Sequence, residues 1–587
     1  MQNQIYSLEE LFKLGTFRIP NYQRAYAWEI APQLEDYLSD LRQQVIAQTV
    51  SSSKTYFLGT VLLHEHDGYA DVVDGQQRLT TSVIFIASML AADEQLRFLD
   101  EKRRKLLKRY FIYDDDEETQ KFCTITADDN FFRSQILSIG ENSQSMLTAS
   151  SLNLANAKKY FIDSISDNEW VRLSTVLTSA QVMAYTVNDY ADATQIFELQ
   201  NDRGKRLSTL ESLKSFLMHQ VYLHAHNPND RLKGIQERFA QIFRDYEGFK
   251  DLVSAPDEDA VLSYHCAAYL SWSGDNWRYP KSLVKGFVQE IENRDIPPWV
   301  ERFVGELANT FETIKKLYCS IEHSQLLEVS ELIVLGRTAP FWPLLIRCYN
   351  ADKSEHKADF CQSVRLMENY SFRGYGMSNL RADAGQSSMY TYARDFSSLE
   401  DIKVKLYEMC YWYDIESRFL TGLESPKAYR NNRKDLTYLL WRYENYLRSQ
   451  TGSQQPSLSW KDFIKPENGS KKFSLEHISS QSSEQVDLHV CWEDGDEEQE
   501  FKHVALHRLG NLVLDSVSTN SSKGKKPFIE KLPHLEERSI YLSQGELREI
   551  SREDSSGNYE WGIEQIKMRQ KLLVDFAHTM WKPESYI

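Results

Sequence analysis

An α+β, multidomain protein is predicted: a mixed α/β N-terminal domain, a predominantly α-helical middle and a small mixed C-terminal unit. Three observations predict it. Aromatic and β-branched runs alternate with helical spacing up to residue 229, helical spacing with little strand signal fills 230–450, and short strand signals return after Arg448–Ser459, a stretch with Gly452, Pro456 and four Ser. The domains are therefore placed at 1–229, 230–450 and 451–587. At ~150 residues per domain, 587 residues hold several cores and exclude a single small binding module.

In chain order, Phe17, Ile19 and Pro20 suggest an extended segment, and Tyr56–Leu63 suits a buried strand. A second strand, Ala70–Val73, runs into Asp74, and Leu79–Leu90 reads as a buried helix capped by Thr80 or Thr81. The chain thus makes a strand, a tight turn and a helix. The pattern is then mostly helical, with Gly140–Asn153 as a loop and Val182–Val187 as another strand. Ser208 and Glu211 form a capping-box pair ahead of a helix with the apolar face Leu210, Leu213, Phe216, Leu217 and Val221. In the middle region the helical period is clearest at Leu436, Leu439, Leu440, Tyr443 and Leu447, and no internal repeat is detectable.

Composition narrows the function. With 41% hydrophobic and 12% aromatic residues, the chain is expected to fold throughout. No apolar run approaches the ~20 residues of a membrane span, and Met1–Phe12 lacks a leader pattern, so cytoplasmic residence and no membrane partner are expected. Seven cysteines, all single, give neither a disulfide framework nor a cysteine zinc site. The 68 basic and 85 acidic residues leave −17, the wrong sign for coating nucleic acid nonspecifically, so any DNA contact must be local or gated. The acidic stretch Glu484–Glu500 and the basic run Lys102–Arg109 read as solvated faces or loops.

Four segments carry candidate chemistry. In Asp74-Gly75-Gln76-Gln77-Arg78, Gly75 permits a tight turn, the following helix offers free N–H groups, and Arg78 can fork onto phosphate oxygens. Asp74 is a candidate to hold a metal ion or orient water, and the glutamines add neutral donors and acceptors; a plain helix cap is the competing reading. No Walker A loop occurs. Asn201, Asp202, Arg203 and Gly204 form a second polar loop before the Ser208-capped helix, again suited to base, ribose or phosphate; two such loops can close one pocket. Ile19–Glu29 interleaves Tyr22, Tyr26 and Trp28 with Gln23 and Arg24, stacking surfaces beside a guanidinium, a spacing that core aromatics also produce. Near the C-terminus, Glu476-His477 follows a short strand, and His507-Arg508-Leu509-Gly510-Asn511 comes about thirty residues later, ahead of Asn520 and Lys531. His489, His503 and His507 read as surface or supporting histidines, while Arg373 and the Tyr429–Lys434 segment face either phosphate or solvent.

The motifs Ile-Pro-x-Tyr-Gln-Arg-x-Tyr-x-Trp from Ile19, Tyr56-Phe57-Leu58-Gly59, Asp-Gly-Gln-Gln-Arg-Leu-Thr-Thr from Asp74, and Phe-Glu-x-x-Asn-x-Arg-Gly-x-x-Leu from Phe197 together resemble the ParB/sulfiredoxin-like NTPase domain of GmrSD-type restriction proteins. The order His, Asn, Asn, Lys after residue 476 resembles the HNH (ββα-metal) nuclease domain that accompanies it. The resemblance implies nucleotide binding by Gly75, Gln76, Gln77, Arg78, Asn201, Arg203 and Gly204, with Asp74 catalytic for hydrolysis of an NTP (GTP, ATP, UTP or CTP). It implies that Tyr22, Gln23 and Arg24, beside the nucleotide pocket, sense modified DNA, as in the related phosphorothioate-sensing SspE-like defence proteins. It implies His477 as general base, Asn511 as holder of the loop, and Asn520 with Glu476 on Mg²⁺ or Mn²⁺.

One departure stands out. Where the family reads Glu-His-Ile-x-Pro-Gln, Ser480 replaces Pro. The expected function is an NTP-dependent or NTP-regulated antiphage restriction endonuclease acting on double-stranded, modified phage DNA, with a homo-oligomer left open. A nucleotide-regulated switch with a decayed nuclease, or an RNA-directed nuclease, are the alternatives.

Overall fold

The computed structural model describes residues 2–50, 55–66, 68–93, 98–140, 148–187, 208–252, 254–322, 325–451, 457–459, 473–479, 501, 503–516, 526–536, 541–553 and 555–586. They form an α+β protein whose contacts divide it into two units, one of residues 1–251, 255–266 and 272–315, the other of 252–254, 267–271 and 316–587. Among the described residues no helix is long and apolar enough to cross a membrane.

The first unit is built on a six-stranded mixed sheet. Its strands are β1 (Gln2–Ser7), β2 (Thr16–Arg18), β3 (Phe57–His66) and β4 (Tyr69–Asp74), then, beyond a small ladder of β5 (Tyr113–Asp114) and β6 (Thr119–Gln120), β7 (Phe122–Cys123) and β8 (Gln181–Val187). Their order is β1-β8-β3-β4-β2-β7. β3 and β4 are an antiparallel hairpin, while β3 lies parallel to β8, and β2 parallel to both β4 and β7. The Gln76–Ala92 helix leaves β4 directly and buries Leu79, Val83, Ile84, Phe85 and Ile86 in a core shared with Leu8, Phe12, Phe17 and Trp170. That burial holds the Asp74–Arg78 turn at one end of the sheet.

Two local expectations are corrected. Gly75 is the cap residue of the Gln76–Ala92 helix, so Thr80 and Thr81 lie inside it and return their hydroxyls to the carbonyls of Gln76 and Gln77, both at 2.8 Å. Within the loop expected at Gly140–Asn153, the Ala149–Ser164 helix already begins, capped reciprocally by Thr148 and Ser151; 141–147 lie outside the described residues. The basic run is a solvated face, with Lys102, Lys105, Lys108 and Arg109 exposed, and it carries ion pairs: Arg103 with Glu9 at 2.8 Å, Arg104 with Asp93 at 3.2 Å, and Arg109 with Asp114 and Asp116. The acidic stretch Glu484–Glu500 lies outside the described residues.

The second unit is largely helical, with two small two-stranded ladders among the described residues, one of them Arg552–Glu553 paired with Tyr559–Glu560. β9 (Phe473–His477) pairs antiparallel with β10 (Leu512–Ser516), placing His477 opposite Leu512, and the Phe528–Glu536 helix follows. Leu475, Leu512 and Leu514 join a core with Leu436, Leu439, Leu440 and Trp581, which seats the ladder on the Ala428–Gln450 helix. Arg373 does not face phosphate. It is 1% exposed and donates to Asn369 Oδ1 and to the Glu416 carboxylate.

Candidate functional site

Two clusters hold the chemistry, one in each unit. In the first, Gly75 adopts φ 86°, and a Cβ there would meet Val61 Cγ1 at 2.8 Å and the Thr60 carbonyl at 3.1 Å. Only glycine fits without displacement. No side chain caps the Gln76–Ala92 helix, which leaves its first-turn N–H groups and positive dipole end as an anion-receptive feature. Burial raises the Asp74 carboxyl above the usual range, against the Gly75 N–H and the Arg78 charge, which lower it.

Arg78 spends both terminal nitrogens on β3, donating to the carbonyls of Leu58 and Thr60 at 3.0 Å each. Gln77 ties the turn to the aromatic segment: its Oε1 accepts from Ala27 N–H at 3.0 Å and its Nε2 donates to the Ala25 carbonyl at 3.1 Å. Gln23 Nε2 donates to the Val73 carbonyl at 2.8 Å, and the Tyr26 hydroxyl bonds Thr81 at 2.9 Å. The Ile19–Glu29 segment and the Asp74–Arg78 turn are therefore one assembly. Tyr22 and Gln23 are buried within it, and Arg24 is ion-paired with Glu211 and Glu258. Asn201, Arg203 and Gly204 lie outside the described residues, but the helix after them is present, capped by Ser208 with Glu211.

That helix supplies a residue which sequence reasoning missed. Lys214 is 4% exposed, donates to the Tyr22 carbonyl at 3.1 Å, and lies over the Tyr22 and Phe243 rings. Burial pushes its amine down to about 8, opposed by Glu211 and aided by Arg24. Its signal is its place in the Leu210, Leu213, Leu217 stripe, i+4 from Leu210.

In the second unit, His477 ends β9 with its Nε2 3.2 Å from Nδ1 of His507. The Tyr429 ring meets His477 edge-on at 4.4 Å and stacks on His507 at 5.7 Å, and its own face carries the Arg433 guanidinium. Burial pushes His477 down to about 3, and the His507, Lys531 and Arg433 charges act the same way. His507 is lowered too, by burial and by Arg430. His507 is 6% exposed, so it is a supporting residue and not a surface one. Arg430 and Arg433, by contrast, are exposed at the start of the Ala428–Gln450 helix, where a phosphodiester can reach them. Asn511 is fully buried; its Oδ1 accepts from Ser479 N–H at 3.0 Å, its Nδ2 donates to the Leu506 carbonyl at 2.9 Å, and its carbonyl receives Ile478 N–H.

Both clusters fall inside recognised sequence families. The profile of the GmrSD restriction endonuclease N-terminal domain matches residues 8–218, and that of the GmrSD restriction endonuclease C-terminal domain matches 413–576, together more than half of the chain. The chain belongs to the GmrSD restriction endonuclease family. Membership makes it a restriction endonuclease of host defence, with DNA as substrate. No curated relative matches it. Asp74, the Tyr22–Arg24 segment and Lys214 lie within the matched N-terminal region, and Tyr429, His477, His507, Asn511 and Lys531 within the matched C-terminal one.

The Glu476 carboxylate, expected to hold a divalent ion with Asn520, already has a cationic partner. Glu476 Oε1 receives Lys531 Nζ at 2.6 Å, and the same Nζ donates to the His477 carbonyl at 2.8 Å. Lys531 and Glu476 form a buried pair, so the carboxylate is already neutralised. Among the described residues no three His, Cys, Asp or Glu side chains gather into a metal-binding group, and Asn520 lies outside them.

Proposed function

We propose that this GmrSD endonuclease cleaves modified foreign DNA with an HNH-type site at His477 and gates that cleavage through a ParB-like nucleotide site at the Asp74–Arg78 turn. The observation that carries the reading is the His477 environment: a neutral imidazole, bonded to a second neutral imidazole, at the end of a ββ ladder followed by a helix and overlooked by Arg430 and Arg433.

The imidazole is neutral at ordinary pH and can accept a proton; buried and held down to about 3 it is a weak base in the free protein, and the negative charge of a bound phosphodiester would raise it toward the working pH that general-base catalysis needs. Arg430 and Arg433 would bind the phosphates on either side of the scissile one, the task for which a guanidinium is shaped. Asn511 would hold Ile478 and Ser479, the residues just after β9, so that the His477 ring keeps its direction. Mg²⁺ or Mn²⁺ remains the proposed cofactor of the family's chemistry, stabilising charge on the phosphate when bound; no step here is derived through it, because Glu476 is committed to Lys531.

In the nucleotide site, the uncapped N-terminus of the Gln76–Ala92 helix would take phosphate, with Asp74 orienting water. Arg78 would act by fixing the turn to β3 rather than by gripping phosphate, given its two carbonyl partners. Gln77 links this turn to Tyr22, Gln23 and Arg24, so a change at the nucleotide would move the segment proposed to sense DNA. Asn201, Arg203 and Gly204 would close the other side.

The test is one matrix of purified full-length protein against modified and unmodified double-stranded DNA, each of the four NTPs, and Mg²⁺ or Mn²⁺. Cleavage that depends on DNA modification and changes with nucleotide supports the reading. Cleavage indifferent to every nucleotide removes the gating half, and NTP turnover without cleavage of any DNA favours a switch with a decayed nuclease.

A further inference from the structure

The Ile563–Met580 helix carries the apolar stripe Ile566, Leu573, Val574 and Ala577, with Arg569 and Gln570 set into the middle of it. It lies directly against the turn that precedes β10. A Cβ on Gly510 would fall 2.1 Å from the Ile566 carbonyl, and Gly510 N–H bonds Gln570 Oε1 at 2.7 Å. Arg569 reaches the strand itself and donates through Nη1 to the Leu512 carbonyl.

That carbonyl is open to a side chain because of the ladder's register. Ile478 N–H bonds the Asn511 carbonyl at 2.9 Å, so the next rung, His477 opposite Leu512, is one whose N–H and C=O groups point away from the partner strand. Both outward carbonyls of that rung go to buried cations: Lys531 Nζ takes that of His477 at 2.8 Å, and Arg569 takes that of Leu512. Two residues along, the equivalent carbonyl of Leu514 is satisfied by a neutral amide, Gln544 Nε2, at 2.7 Å. A side-chain bond to this edge of β10 therefore does not require a charge.

The two cations differ. Lys531 is neutralised by Glu476. Arg569 is fully buried, and its Nε and Nη2 find no acceptor among the described residues. Burial pulls the guanidinium down to about 10, opposed by Glu546 and Tyr443, so it stays charged at neutral pH. A buried charge with idle donors destabilises a fold, and an apolar side chain of similar length in its place is often neutral or stabilising. Folding alone does not account for Arg569, whose one bonded partner is the residue across from His477. A charge-assisted hydrogen bond is roughly twice as strong as a neutral one, so it holds the rung more stiffly than an amide would.

We propose that Arg569 is a positioning residue for DNA cleavage, fixing through Leu512 the rung from which the His477 ring projects, and that the fold is less stable for carrying it. This rests on the assignment of His477 as general base above and adds a residue that acts through it from the protein interior.

The experiment uses the full chain and compares wild type with Arg569→Met, Arg569→Lys and His477→Ala, measuring steady-state cleavage of double-stranded DNA and urea unfolding on the same preparations. Arg569→Met is expected to lower kcat by about 10–100-fold, the scale on which a supporting partner acts, with KM for DNA unchanged and the urea midpoint at or above that of wild type. Arg569→Lys, which keeps a cation and a donor for Leu512, recovers part of kcat. An unchanged kcat in Arg569→Met, a loss carried by KM, or Arg569→Lys no better than Arg569→Met overturns the proposal. So does a urea midpoint that falls with kcat, or an Arg569→Met that fails to fold, since either makes Arg569 a support of the fold alone. His477→Ala separates this failure from that of the larger reading: cleavage as fast as wild type there removes the His477 assignment itself, whereas loss of cleavage there beside an unaffected Arg569→Met removes only the positioning role.

Discussion

Nε2 of His477 lies 3.2 Å from Nδ1 of His507, with the Tyr429 ring against both imidazoles. Two bare lone pairs would repel at that distance, so one ring must donate and the other accept. Burial keeps both rings neutral, and their tautomers are therefore complementary. His507→Ala breaks this arrangement. The expected result is a fall in kcat for DNA cleavage of about 10–100-fold, the scale on which a base's supporting partner acts, with KM for DNA nearly unchanged. His507→Asn, which can still donate or accept, recovers part of it. Steady-state kinetics on wild type and both variants decides, and an equal rise in KM would assign His507 to DNA binding instead.

Gly59 and Arg78 form a second tight fit. Gly59 has φ 125°, and a Cβ there would fall 1.6 Å from Arg78 Nη1. Gly59→Ala must strain the backbone and evict the guanidinium from the carbonyls of Leu58 and Thr60. A loss of about 2–4 kcal/mol in urea unfolding is expected. The double variant Gly59→Ala/Arg78→Ala should lose less than the sum of the two single variants, because the eviction is counted only once.

Lys214 gives a pH dependence with a fixed sign. Its amine titrates near about 8 in the folded protein and near 10.5 when unfolded. Between these values the unfolded chain holds a proton that the folded one has released, so stability attributable to Lys214 rises as pH rises from about 8 to 10.5; below about 8 both forms are charged and the burial cost is constant. Subtracting the profile of Lys214→Met from that of wild type isolates it, with an expected change of about 1–3 kcal/mol over the window. A flat difference would contradict the burial of a charged amine.

Glu476 and Lys531 are assigned to structure. Glu476→Ala strands the Lys531 ammonium, 1% exposed, and should cost about 3–5 kcal/mol, whereas Glu476→Met with Lys531→Met recovers most of it. The concentration of Mg²⁺ or Mn²⁺ giving half-maximal cleavage should stay nearly constant in Glu476→Gln, well short of the ~10–100-fold shift expected from losing an ion's partner. A large shift would return Glu476 to the metal.

The strand, turn and helix around Asp74 were legible because an apolar run, a glycine and a second apolar run follow one another within a few residues. The helix start was misjudged at Thr80 or Thr81 because threonine is a good cap, whereas Gly75 begins the helix four or more residues earlier with a polar first turn. The closeness of the Tyr22–Arg24 segment to that turn was also expected, though not the Gln77 bridge that makes it. Lys214 was overlooked because a lysine beside an apolar stripe ordinarily extends to solvent. Arg373 misled in the opposite sense: flanked by Phe372 and Gly374 it read as a surface guanidinium, but it is buried against Asn369 and Glu416.

The measurement that tests the central claim most directly is cleavage of modified and unmodified double-stranded DNA by wild type and His477→Ala, with NTP hydrolysis and circular dichroism recorded on the same preparations. Removing a general base should lower cleavage by about 10²–10⁴-fold, while NTP hydrolysis, assigned to residues of the other unit, continues near the wild-type rate. His477→Ala cutting DNA as fast as wild type would contradict it.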